Sequence, residues 1–161
     1  DARFEETEQD IATHMADNVN LKEVHGLKIE SGTFTPVIAG STTAGENTYA
    51  YQIGRYSLIG TKVICDITIG VTVKDPTMAG NVLITGLPFL AKHVVNLRYS
   101  GTIGAISNCT YNASEQLTVR LSSGTATLEL RKINDNASDT AVNSSDIGTL
   151  FIACQIIYEK A

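Results

Sequence analysis

Four ionisable residues crowd the start of the chain: Asp1, Arg3, Glu5 and Glu6. On a helix, Asp1 and Glu5 are i,i+4 neighbours whose like charges repel. That repulsion raises one carboxyl group toward the range where it can act as a general acid or base near neutrality. Acids in a first helical turn also complement the helix dipole with no further role, so the local sequence supports both readings.

The rest of the chemical inventory is thin. His14, His25 and His93 are scattered without the spacing of a metal site, so no metal is expected. The glycine-rich stretch at residues 40–45 (GSTTAG) lacks the Gly-Lys-Ser/Thr ending of a phosphate cradle. Cys65, Cys109 and Cys154 are odd in number and far apart, which describes free, mostly buried thiols rather than a disulfide framework. Four Asn-x-Ser/Thr sequons, at Asn108, Asn112, Asn136 and Asn143, raise the alternative of a secreted glycoprotein jelly roll resembling the complement/tumour-necrosis-factor proteins.

These residues must be carried by a mostly β chain. The 161 residues are 18% charged, contain no Trp, and are rich in Thr, Ser, Gly, Ile and Val. The net charge of −5 and the absence of any Lys/Arg cluster argue against nucleic acid as a partner. No apolar run reaches the ~18 residues of a membrane span, and no signal pattern opens the chain, so synthesis in a reducing cytoplasm is expected. The first residue is Asp1 rather than Met, which is the expectation for a processed or trimmed piece.

Residues 2–19 contain neither Gly nor Pro and predict a short N-terminal helix with a narrow apolar stripe of Phe4, Ile11, Met15 and Val19. Such a stripe suits contact with copies of itself or with a neighbouring domain. A connector follows to about residue 30. From there the period becomes two, most clearly over Lys62–Val73, where Val63, Cys65, Ile67, Ile69, Val71 and Val73 alternate with Asp66, Thr68, Gly70 and Thr72. Runs at 32–38, 48–53, 55–59, 81–85, 94–99, 105–111, 117–121, 126–131 and 150–158 bring the total to about ten antiparallel strands. The expected fold is therefore a β-sandwich or jelly roll over residues 31–161, preceded by a helix and connector over residues 1–30. The run at 150–158 is apolar on both faces, so its outward Phe151 and Ile157 join Phe4, Ile11 and Met15 as expected subunit contacts. Residues 134–146 (NDNASDTAVNSSD) predict a polar surface loop.

Three segments carry a resemblance. Residues 31–38 (SGTFTPVI), 51–66 (YQIGRYSLIGTKVICD) and 80–89 (GNVLITGLPF) resemble the signatures of C-terminal β-sandwich modules of phage tail spikes, including the autochaperone domains of neck appendages in φ29-like Bacillus phages. The resemblance spans about residues 31–161. It implies a virion-tail protein, made in the host cytoplasm, in which three copies associate and align the preceding β-helix chains. Release then follows by self-cleavage just before Asp1. It further implies a Ser ahead of Asp1, whose hydroxyl attacks its own carbonyl in an amide-to-ester shift, after which a carboxylate activates water to open the ester. Asp1, Glu5 and Glu6 are then the acid/base candidates, and Arg3 steadies the anionic intermediate. No cofactor is evident; ATP-assisted release follows from the resemblance alone, with no motif to hold it. The competing expectation is a fibre tip that stays attached and binds a host-surface glycan or cell-wall polymer through its loops. In a precursor extended upstream, Asp1→Ala or Glu5→Ala is expected to leave an uncut but still trimeric product on denaturing and native gels, whereas normal cutting removes both residues from the chemistry.

Overall fold

The structure, a computed structural model, describes residues 23–24, 27–134 and 137–161. The helix expected over residues 2–19 lies outside the described residues, as do Asp1, Arg3, Phe4, Glu5, Glu6, Ile11 and Met15. The described chain is mainly β. Its strands are β1 (Glu23–Val24), β2 (Leu27–Phe34), β3 (Val37–Gly40), β4 (Thr48–Ile59), β5 (Lys62–Val73), β6 (Val82–Thr85), β7 (Arg98–Cys109), β8 (Glu115–Ser122), β9 (Leu128–Asn134), β10 (Ala137–Ala141) and β11 (Ile147–Glu159). All pairings are antiparallel, in the order β1-β2-β4-β5-β11-β7-β8-β9-β6-β3, with β10 added outside β9.

The sandwich expectation is changed in one respect. The hydrogen bonds follow one continuous path, so the two expected layers are the two halves of a single sheet curled over one core. β7 makes the turn: Arg98 to Gly101 pair with β8, while Thr102 onward pairs with β11. Gly101 sits where the halves cross. A Cβ there would lie 2.4 Å from the Gln155 carbonyl oxygen and 2.6 Å from Val119 Cγ2, a distance no side chain tolerates. Inside the curl, Leu58, Ile69, Ile84, Leu121, Leu128, Leu130, Ile152 and Ile156 are fully buried.

The far ends of the path meet without a backbone ladder. β2 and β3 are one run in the sequence, but Pro36 has no N–H to continue a ladder, and the chain switches from β4's neighbour to β6's neighbour at Thr35 and Pro36. β3 then lies beside the start of β4, where side chains seal the gap. Tyr49 Oη accepts from Ile38 N and donates to Ile38 O, both at 3.1 Å, and Asn47 Nδ2 also donates to Ile38 O at 2.9 Å. Gln52 Nε2 donates to the Pro36 carbonyl at 2.9 Å. An edge strand that would otherwise expose bare backbone groups is thereby closed.

Other boundaries also differ from expectation, each for a physical reason. Residues 48–53 and 55–59 form one strand, because Gly54 is no breaker: the Phe34 ring rests on it, and a Cβ would come within 2.7 Å of that ring. Residues 98–109 are likewise one strand through two glycines, while 94–97 is a tight turn, with Leu97 N donating to Val94 O at 3.1 Å and Asn96 at φ 64°. The loop expected at 134–146 contains β10, which has little apolar content and is fastened by ions. Asp139 Oδ2 accepts from Arg120 Nη1 at 2.7 Å and from Arg131 Nε at 3.0 Å. Its carboxyl is held below the usual range chiefly by that bond to Arg131. Tyr49→Phe removes both bonds to buried Ile38 and is expected to cost about 1–3 kcal/mol, read as a lower urea midpoint with an unchanged slope. An unaltered midpoint means that the seam contributes nothing.

Candidate functional site

Antiparallel pairing brings residues from β2, β4, β5, β11 and β7 into straight rows across the outer face of one half of the sheet. β11 sets the alternation. Leu150, Ile152, Cys154, Ile156 and Tyr158 face the core and are buried, which sends Phe151, Ala153, Gln155 and Ile157 outward. The register then fixes their neighbours. Ile29 lies opposite Ile59, which lies opposite Lys62. In the next row Ser57 faces Ile64, and Ile64 faces Ile157. The middle row runs Arg55, Asp66, Gln155, Thr102. Beyond it come Ile53, Thr68, Ala153 and Ala105, and finally Tyr51, Gly70, Phe151 and Ser107.

Three zones result. At the end nearest β1, Ile29 is 43% exposed, Ile59 42% and Ile157 46%, and with half-buried Ile64 they form an isoleucine patch uncovered among the described residues. The middle row is polar and internally bonded, with Gln155 Nε2 donating to Asp66 Oδ1 at 2.7 Å. At the far end, Tyr51 lies over Gly70, where a Cβ would come within 2.7 Å of its Cζ, and meets Phe151 edge to face with ring centroids 6.3 Å apart. The two expected contact residues in β11 therefore separate: Ile157 belongs to the isoleucine patch, and Phe151 to an aromatic pair within the chain. The pattern Tyr51, Ile53, Arg55, Ser57, Ile59 was present in the sequence. Reading β4 as two short runs hid it.

Cysteine nucleophiles have little support among the described residues. Burial pushes the Cys65 and Cys154 thiols up to about 12, far from the thiolate that would react. Cys109 is half-buried and is raised for the same reason. Among the described residues no three His, Cys, Asp or Glu side chains are gathered as metal ligands, and no helix is long and apolar enough to cross a membrane. Of the sequons, Asn143 is occupied structurally, accepting from Ser145 N at 3.2 Å to cap the short 3-10 turn Ser144–Asp146.

No family model and no curated protein matches the chain. Among solved structures it is similar to the crystal structure of the Dettilon tailspike protein (gp208), with a TM-score of 0.67 over 83% of this chain at 14% identity. The chain spans 24% of that protein's length. At this identity the likeness is one of fold, and it joins the curled sheet to a part of a phage tailspike. In a thiol titration, the native protein is expected to leave Cys65 and Cys154 unreacted at neutral pH over the time in which denatured protein reacts at all three cysteines. Rapid reaction of either in the native state contradicts their burial.

Proposed function

We propose that this chain is a homotrimeric module at the C-terminal end of a phage tail spike or appendage, acting as an intramolecular chaperone for the β-helix chains that precede it. The observation that carries the proposal is the isoleucine patch. Ile29, Ile59, Ile64 and Ile157 occupy adjacent registers on the outer sheet face, where single scattered apolar residues would be ordinary. Covering such half-exposed isoleucines stabilises an assembly by on the order of 1 kcal/mol each. The patch sits at the end of the sheet where β2 begins, and Phe4, Ile11 and Met15, which lie outside the described residues, complete the apolar set of the proposed interface. The likeness of fold to a tailspike supports a virion-tail location.

Release by a single self-inflicted cut before Asp1 completes the proposal. It is supported by the acid cluster of Asp1, Glu5 and Glu6 with Arg3, and by the sequence resemblance to self-cleaving modules. The cysteines give no support to a different nucleophile. An attached fibre tip differs from this reading in one observable: intact full-length chains in purified virions favour it, and cut chains favour the chaperone.

The interface is tested by Ile59→Glu and Ile157→Glu. Either places a charge in a desolvated contact and is expected to weaken association at least about a hundredfold. Sedimentation should then show a 17.2 kDa monomer with an unchanged β-type circular dichroism spectrum. Variants that stay trimeric put the interface elsewhere.

A further inference from the structure

Among the described residues, β2 is paired on one side only for most of its length. Gly60 N donates to Lys28 O at 2.8 Å, and the groups of an antiparallel ladder alternate in direction. Lys28, Glu30, Gly32 and Phe34 therefore turn their backbone groups toward β4, while Ile29, Ser31 and Thr33 turn theirs to the edge. β1 covers that edge only at Leu27 and Lys28, which stand opposite Val24 and Glu23. Past Lys28 no described residue bonds to it. The edge also lacks the usual protection, since residues 29–34 (IESGTF) hold neither Pro nor Lys and pair with β4 without a bulge. A regular bare edge of this kind is a template for another strand.

We propose that the strand which covers it is the chain's own residues 18–22 (NVNLK), which lie outside the described residues and continue β1 along β2. The register of β1 dictates the partners. Glu23 faces Lys28, so Lys22 falls opposite Ile29, Leu21 opposite Glu30, Asn20 opposite Ser31, Val19 opposite Gly32 and Asn18 opposite Thr33. In this register Lys22, Asn20 and Asn18 exchange backbone hydrogen bonds with Ile29, Ser31 and Thr33, the residues whose groups point to the edge.

The side chains sort by the same register. Glu30 faces fully buried Leu58 and Gly32 faces Tyr56, so both lie on the inner face, and Leu21 and Val19 join them there. Asn18, Asn20 and Lys22 fall on the outer face. The inner rim at this edge is apolar and only partly covered. Phe34 and Tyr56 are half-buried, and the Tyr56 ring lies across Gly32, where a Cβ would come within 2.7 Å of it. Val19 places an apolar side chain beside that ring, where β2 itself has none. A slip of one residue would set the two asparagines and Lys22 against the rim instead. Closing the edge leaves a sheet face, rather than a bare strand, as the surface open to other chains, and ties the acid cluster at the chain's start to one point of the sheet. The inference does not rest on association of copies.

The test is amide exchange and α-proton contacts in the labelled 161-residue chain. The amides of Ile29, Ser31 and Thr33, which have no acceptor among the described residues, are expected to exchange at least about a hundredfold more slowly than in an unfolded chain. Leu21 and Glu30, a pair without mutual hydrogen bonds in this register, are expected to show an α-proton contact. Asn20→Pro removes the N–H that donates to Ser31 O and is expected to return Ser31 and Thr33 to fast exchange while Ile69 and Ile152 stay protected; Asn20→Ala, which keeps the N–H, retains the slow exchange. Fast exchange of the three amides in the unsubstituted chain overturns the proposal, as does absence of the contact between Leu21 and Glu30. Slow exchange that survives Asn20→Pro overturns it too, because another chain then covers the edge. None of these readings uses native mass, so failure of the trimer proposal is seen separately.

Discussion

The close crossing at Gly101 is the constraint on which the rest of the structure depends. Only a residue without a side chain lets β7 pass within reach of the Gln155 carbonyl and the Val119 methyl. Because it passes there, one strand serves both halves of the sheet and the halves close over a single core. A side chain at this position would push β11 away from β7, and β11 supplies Leu150, Ile152, Ile156 and Tyr158 to the interior. The seam at the other side of the curl is the counterpart. There the chain has no backbone ladder to offer, and Tyr49, Asn47 and Gln52 provide hydrogen bonds in its place.

A sheet closed in this way buries most of its inner face and leaves its outer face to be used. The alternation that buries Ile156 exposes Ile157, and the alternation that buries Ile152 turns half-buried Phe151 and Ala153 outward. Inner and outer sets are therefore not independent in sequence, and a one-residue slip of β11 would exchange them. The outer face is also not uniform. The polar row of Arg55, Asp66, Gln155 and Thr102, with its bond between Gln155 and Asp66, divides an aliphatic end from an aromatic one.

Much of the fold was legible from period alone. Lys62–Val73 emerges as β5 with the bounds its alternation predicts, and the doubly apolar run at 150–158 is the strand at the centre of the path, β11. The misreadings share a cause. Glycine reads locally as a breaker, whereas Gly54 and Gly101 are places where a ring or a neighbouring strand comes too close for a side chain, and such closeness is a tertiary fact. β10 was missed because nothing apolar marks it; its fastening to Arg120 and Arg131 exists only once β8 and β9 are paired. The outer rows needed register as well as alternation. The signal for Tyr51 and Ile59 was in the sequence, but the row that joins Ile59 to Ile29 was not.

In the proposed function the isoleucine patch is where copies of the module meet, and the likeness to a tailspike is one of fold. The proposed cut before Asp1, made only after association, would release the module from an aligned assembly. The native mass of the 161-residue chain in dilute solution tests the central claim most directly. The account predicts three times the 17.2 kDa of one chain, persisting as the protein is diluted to low micromolar concentration. A stable species of 17.2 kDa under those conditions contradicts it.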